Sequence, residues 1–588
     1  MGHRGLRGVH HDRDAVGHRA SHRRACHGIR SLVRVDGLDL GGKEGRRRAR
    51  RRLLSAVGCG PRRRAAGRDR STLMSPVHAP RRSRFAGRQL SFGRLALSMA
   101  VVVTLGLGAT AAALVPTLPP AVAGADAAHR WFAPYYDVTL ESGDELSRST
   151  MDDAPGGLVL AFVVAAGDDD CTPTWGRTYT LDDAAQRFQL DRRVERMQRE
   201  GRPLAVSFGG ALNTELASAC ATVDALATAY RTVLDRYGID TVDLDIEGDA
   251  LDDAAATARR AAAIAQLQKQ RSAEGTSLQV WLTLPVAPDG LTAQGSAQVS
   301  AMLDGGVEIA GVNAMTMDFN ADDHAASTSS LAISALDATA RQVTDLWDAH
   351  GRTLPPGGAW ALLGATPMIG QSDIEREVFT LDDARALADY ATAQGIARMS
   401  MWSLNRDRTC GSNYPLVHRV SPLCSGVDQA GVSFAGILAD GHTGTPSGEP
   451  LTPHDGPIVP DDAATSPFPL WTSQSFYSAG VFVVWRGSVY VSKWWNEDGP
   501  QPDDPSLDAA ASAWTYVGPV LSSDRPFTLP QLPEGTYPEW SATGLYNQGD
   551  RVLYDGSGYE ARWWSQGQRP DRSVLDHDYS PWKLLDGS

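Results

Sequence analysis

Cysteine is scarce in this 588-residue chain, with six in all. No C-x-x-C or H-x-x-H spacing occurs, so nothing points to a bound metal, and no feature demands an organic cofactor. Basic side chains are scarce beyond the N-terminus. The first 94 residues hold 25 of the 56 Lys and Arg but only 6 of the 69 Asp and Glu. The other 494 residues carry 31 basic against 63 acidic side chains. Such an acidic body argues against a nucleic-acid partner, because affinity for phosphate backbones comes mainly from Lys and Arg. A neutral partner imposes no charge requirement. A hydrophobic share of 42% and the lack of a glycine period exclude a wholly disordered chain and a collagen. The length is too great for one compact core, and about three or four folding units are expected.

The single long uncharged run, 95–115, follows a basic stretch with Arg81, Arg82, Arg84, Arg88 and Arg94. Ala121-Val122-Ala123 then supplies a small-x-small pattern. Basic region, apolar region and cleavage pattern together describe a secretory signal peptide over 95–123. Export to the extracellular space is expected. An uncleaved, membrane-tethering signal-anchor is the alternative, since about 20 apolar residues can span a bilayer. The basic leader, 1–94, shows no helical or strand periodicity and reads as disordered or as a mis-assigned start, with Met74 as the true first residue. Four cysteines follow the signal: Cys171, Cys220, Cys410 and Cys424. An even number in an exported chain suggests disulfides. Pairs 171–220 and 410–424 are expected, although four cysteines allow three connectivities.

From 131 to 425, short apolar runs alternate with longer amphipathic ones. Strands are predicted at 131–138, 158–164, 204–207, 241–246, 278–284, 311–317, 360–366 and 397–402. Helices are clearest at 180–200, 223–237, 252–272, 329–350 and 381–394. Eight strands alternating with helices predict an α/β fold with a parallel sheet, a (β/α)8 barrel. In that fold the C-terminal strand ends form the active site. The fourth strand carries Asp243, Asp245 and Glu247 at a spacing of two, which puts them on one face. Val242, Leu244 and Ile246 occupy the other face. Stacked carboxylates are costly unless they share protons and hydrogen bonds, and like charges raise at least one pKa. One acid then stays protonated near neutrality, as a general acid requires. Glu247, nearest the mouth, is the candidate.

The stretch Asp240-x-x-Asp243-x-Asp245-x-Glu247 resembles the DxxDxDxE signature of family 18 glycoside hydrolases, the chitinases and their relatives. Ser207-Phe208-Gly209-Gly210 is similar to that family's SxGG strand-3 motif. Trp402 is similar to its strand-8 tryptophan, which floors a sugar subsite. The resemblance covers about 131–425. It implies a retaining mechanism without an enzyme nucleophile, the substrate-assisted exception among glycosidases. Glu247 would protonate the glycosidic oxygen, and the substrate's N-acetyl carbonyl would attack the anomeric carbon. Asp245 would orient the acetamido group, and Asp243 would share a proton with Asp245. Asp240, Ser207, Gly209, Gly210, Met315, Met317, Asp318, Trp402 and Tyr135 would complete the substrate site. One departure stands out. The family commonly has MxYD on strand 6, where the Tyr donates to the acetamido oxygen. Here Met317 holds that position and cannot donate. Either another donor substitutes, Tyr135 or Tyr136 from the first strand, or activity is lower.

Residues 426–466 are rich in Gly, Pro, Ser, Thr and Asp and read as a flexible linker. An internal repeat follows, in modules at 467–519 and 537–585. Trp471, Tyr477, Gly480, Gly487, Tyr490, Trp494 and Trp495 recur 69 residues later, and Tyr554 stands where Trp485 would recur. Nine of the 15 tryptophans lie in this last fifth, and units of about 45–50 residues cannot bury them all. Exposed flat rings suit the C–H faces of pyranoses. For the adjacent pairs Trp494-Trp495 and Trp563-Trp564, strand alternation sends neighbours to opposite faces, so at most one of each pair can lie fully inside. These units resemble the chitin-binding modules of carbohydrate-binding families 5 and 12, which implies binding through Trp494, Trp495, Trp563, Trp564, Tyr546 and Tyr554. The combined expectation is a secreted, monomeric chitinase acting on an N-acetylglucosamine polymer, without a stable protein partner. Its rivals are a non-catalytic chitin-binding lectin and an endo-β-N-acetylglucosaminidase.

Overall fold

The computed structural model describes residues 125–586, apart from 142–149, 152–153, 321–325, 458 and 498. The leader and the signal segment lie outside the described residues.

The parallel part of the main sheet is built from β1 (Trp131–Phe132), β2 (Tyr135–Asp137), β3 (Leu158–Gly167), β4 (Leu204–Gly209), β5 (Thr241–Asp245), β6 (Gln279–Ala287), β7 (Gly311–Met315), β8 (Leu363–Thr366) and β9 (Arg398–Met399). From β3 to β9 each strand pairs in parallel with the next. β1 pairs with β9, and β2 pairs with β3. The short stretch 131–137 therefore bonds to both ends of the sheet. Pro134 interrupts it, since proline has no N–H for the ladder.

Helices connect the strands: α1 (Leu190–Arg199), α2 (Val223–Tyr237), α3 (Ala254–Ala273), α4 (Ala293–Asp304), α5 (Thr328–Ala349) and α6 (Leu381–Gln394). Side-chain caps fix most of their starts. Thr222, Asp253, Thr292, Ser327 and Thr380 each accept from a first-turn backbone N–H. The expected helix at 180–200 is two helices, broken where Gln189 takes a left-handed φ of 50°. The α4 helix was not anticipated, because its Ala-, Gly- and Ser-rich sequence shows little apolar periodicity.

Two cores result. Val242, Leu244 and Ile246 belong to the large one, between sheet and helices. Trp131, Tyr135 and Trp281 belong to a smaller one on the opposite face. Disulfides join Cys171 to Cys220 and Cys410 to Cys424.

The expected linker packs along the chain it leaves. The N–H groups of Gly444 and Thr445 donate to Arg130 and Ala128, and His454 N–H donates to Arg199 at the end of α1. Asp461 then accepts from the N–H groups of Arg486 and Gly487.

The first module contains β10 (Phe476–Tyr477), β11 (Phe482–Trp485), β12 (Ser488–Ser492), β13 (Asn496–Glu497) and β14 (Trp514–Pro519). The second repeats the plan with β15 (Leu545–Tyr546), β16 (Arg551–Tyr554), β17 (Ser557–Ala561), β18 (Ser565–Gln566) and β19 (Trp582–Leu584). Each has a three-stranded and a two-stranded antiparallel sheet. Asp555-Gly556 turns the second hairpin with φ 50° and 75°, the two left-handed residues of a tight turn matched to strand twist. The first module docks on α1. Arg192 forms a mostly buried ion pair with Asp524, at 2.7 Å, and Arg196 donates to the Tyr516 carbonyl at 2.7 Å.

Candidate active site

The three carboxylates of the ladder enter different environments. Asp243 is fully buried and saturated with donors. Its Oδ2 accepts from the Tyr135 hydroxyl at 2.8 Å and from Ser207 Oγ at 2.7 Å. Its Oδ1 accepts from Thr283 Oγ1 at 2.7 Å and from Arg398 Nη1 at 2.5 Å. Register explains the convergence, since Ser207 lies beside Asp243 on β4 while β6 flanks it on the other side. Arg398 lies among Trp131, Tyr135 and Trp281, whose ring centres are 5.2–5.5 Å from its guanidinium. One guanidinium and three hydroxyl groups thus surround the Asp243 carboxyl. All four of its acceptor positions are occupied.

Asp245 lies one step higher, 5% exposed, and its Oδ1 has no hydrogen-bond partner. Burial pushes its pKa well above the usual carboxylate range, and the charges of Glu247 and Asp243 add to the rise. Glu247 follows the end of β5. Burial, with the charges of Asp318 and Asp373, pushes its pKa up to about 7. Glu247 is therefore substantially protonated near neutrality.

Asp245 and Glu247 line a cleft of about 510 Å³ together with Tyr135, Phe162, Met315, Met317, Asp318, Asp373 and Trp402. The Trp402 ring stacks on Phe162 at 5.3 Å and meets Tyr135 edge-on at 6.1 Å. These rings give the cleft an aromatic floor. Met315, Met317 and Met368 contribute apolar surface. Ser372 donates to Asp318.

Several expected site residues serve elsewhere. Asp240 precedes β5, at the end of the strand remote from Glu247, and is exposed. The motif thus brings three carboxylates to the site, not four. Ser207 supports Asp243 from below. Gly209 and Gly210 have φ of 109° and 88° and are absent from the cleft lining. A Cβ on Gly209 would lie 2.0 Å from the Asp245 carbonyl oxygen, and one on Gly210 would press on the Phe162 ring at 2.9 Å. These glycines let Asp245 and the aromatic floor approach β4. The Tyr135 ring lines the cleft, but its one hydroxyl proton goes to Asp243, so it does not replace the missing tyrosine donor. Tyr136 bonds to Glu141 instead.

Sequence reasoning missed Arg398, Thr283, Phe162 and Asp373. Arg398 carried a usable signal, being a charged residue inside a predicted buried strand. So did Asn313, which donates to Thr283 and Thr366 beneath the ladder.

In the modules, Trp494, Trp495, Trp563 and Trp564 are all exposed, at 44%, 36%, 42% and 59%. None of the four lies inside, because both pairs fall in the irregular stretches that follow β12 and β17 rather than on a strand. Tyr546 and Tyr554 instead pack into the second module's core, against Trp582 at 5.0 Å and Trp540 at 5.3 Å.

Residues 539–583 match the model of carbohydrate-binding module family 5/12. The chain is 35% identical over 286 residues to the "Probable bifunctional chitinase/lysozyme" of Escherichia coli (strain K12), covering 48% of this chain and 31% of that protein. It is 33% identical over 281 residues to "Endochitinase 11" of Metarhizium anisopliae, covering 47% and 52%. The chain thus spans about a third to a half of the length of these relatives. A solved catalytic domain of a hyperthermophilic chitinase from Pyrococcus furiosus is 26% identical, with a TM-score of 0.44, covering 53% of this chain and 95% of that one. Across about half its length the chain is homologous to proteins named as chitinases, and its last module matches carbohydrate-binding module family 5/12.

Proposed function

We propose that this protein is an exported chitinase with a (β/α)8 catalytic barrel. It hydrolyses β-1,4 bonds between N-acetylglucosamine units with retention. The observation that carries this reading is the graded ladder. Asp243 is paired with Arg398, Asp245 has an unpartnered oxygen, and burial pushes Glu247 up to about 7 at the cleft. The pairing of 131–137 with both β3 and β9 supports the barrel. The two disulfides and the apolar run with its small-x-small site support export.

In this mechanism Glu247 gives its proton to the glycosidic oxygen as the bond to the anomeric carbon breaks. The neighbouring acetamido oxygen closes on that carbon, forming an oxazolinium ion. Asp245 loses its proton to solvent as substrate binds, and its unpartnered oxygen then accepts the acetamido N–H and balances the positive charge, which offsets the burial that raises its pKa in the free protein. Glu247, now ionised, takes a proton from water, which opens the ring with the original anomeric configuration. Asp243, through Arg398, holds the ladder in register below.

The test is time-resolved NMR of products from N-acetylglucosamine hexamer. Short oligomers whose new reducing ends first appear as the β-anomer support the reading. The α-anomer would refute retention. No products, with the protein still pelleting with chitin, would mark a lectin, the reading that the donor-less Met317 favours.

A further inference from the structure

The two C-terminal modules are not separate bodies on a string. Ser478 of the first is fully buried against a turn of the second. Its N–H donates to the Leu575 carbonyl at 2.9 Å, and its Oγ accepts from Asp578 N–H at 3.0 Å. Leu575 packs against the first module's core. The same turn carries Tyr579, which is 66% exposed. Its ring meets Trp495 of the first module edge-on at 5.3 Å. Phe476 stacks beside Trp495 at 6.0 Å. Next to these rings, Gln474, Ser475 and Phe476 of one module and Arg572, Leu575 and Asp576 of the other line a narrow cleft. The repeat shows how unusual this is, because the counterpart Trp564 is 59% exposed and has no aromatic neighbour from the other module among the described residues.

We propose that Phe476, Trp495 and Tyr579 form one composite sugar-binding corner, built by both modules, that takes consecutive units of a single N-acetylglucosamine chain. The inference rests on the substrate proposed above. Exposed rings of this size mark binding surfaces, and flat aromatic faces suit the C–H faces of a pyranose. The cleft sets amide, hydroxyl and guanidinium groups beside the rings, where acetamido and hydroxyl groups of the same chain can bond. Tyr579 lies within the span that matches the carbohydrate-binding family, while Trp495 lies outside it. The occupant is therefore a carbohydrate bridging the two modules. The corner adds a site that exists only when both are present and docked. Trp564 remains a separate contact.

A double-mutant cycle in the full-length chain tests this. Trp495→Ala, Tyr579→Ala, Trp564→Ala and the pairs 495/579 and 495/564 are compared for affinity to chitin particles and to N-acetylglucosamine hexamer. The affected rings are exposed, and an unchanged melting temperature checks that the fold survives. The composite corner predicts that each of Trp495→Ala and Tyr579→Ala weakens binding about tenfold, and that the 495/579 pair is little worse than either alone. The 495/564 effects should multiply. Wild-type affinity in Tyr579→Ala, or multiplying effects in the 495/579 pair, would overturn the corner and leave the substrate reading intact. Failure of the wild type to bind either ligand would overturn the substrate reading and the corner together.

Discussion

Replacing Glu247 by Gln should stabilise the protein in a pH-dependent way. In the unfolded chain this carboxyl titrates at its ordinary value of 4.5, and in the fold it titrates at about 7. Between those values the folded state holds a proton that the unfolded state has lost. The protonated side chain's contribution is therefore fully present below pH 4.5 and disappears as the pH rises through 7. The interval corresponds to about 3.5 kcal/mol, at about 1.4 kcal/mol per pH unit. Gln keeps the shape and cannot ionise, so Glu247→Gln should match the wild type at pH 4. At pH 8 it should be more stable by up to about 3.5 kcal/mol, or roughly 7 °C for a unit of this size. Asp245, whose pKa is raised chiefly by burial, remains in both proteins and should titrate more easily once its ionised neighbour is gone. Calorimetric melting temperatures from pH 4 to 8.5 provide the assay. Parallel curves for the two proteins would refute the claim that burial and the charges of Asp318 and Asp373 hold Glu247 protonated.

Arg398→Met leaves Asp243 buried without its cation, a loss of about 3–5 kcal/mol in urea unfolding. Adding Asp243→Asn should recover part of it, and strictly additive losses would argue against the ion pair. Gly209→Ala places a methyl where the Asp245 carbonyl lies and strains a φ of 109°. Chemical denaturation should show about 2–4 kcal/mol of destabilisation, with hydrolysis reduced, whereas a silent change would contradict the close approach of β4 and β5. Met317→Tyr restores a hydroxyl where Tyr135 has none to spare, and turnover of N-acetylglucosamine hexamer should rise about tenfold. Unchanged or lower turnover would show that the cleft does not need that donor.

The sequence made the ladder legible because β-strand alternation alone places Asp243, Asp245 and Glu247 on one face. Helix α2 was equally legible, since Thr222 caps its start and Gly238 ends it with a left-handed φ. The partners of Asp243 were not. Arg398 is 155 residues away, and only the pairing order of the strands brings it beneath the ladder. Asp373 sits in a loop beyond β8, where no periodicity marks it. Asp240 misled because a motif read as a unit spans both ends of one strand. The tandem tryptophans, expected with at most one of each pair inside, are all exposed because they begin where the strands stop. The junction of Trp495 with Tyr579 depends on how two repeats dock, which no single repeat encodes.

The most direct test of the central claim is turnover of colloidal chitin by the wild type and by Glu247→Gln, with pelleting of both proteins measured in the same tubes. The account predicts short N-acetylglucosamine oligomers from the wild type, none above background from the variant, and equal binding by both. Equal product release from both proteins, or none from either despite binding, would contradict it.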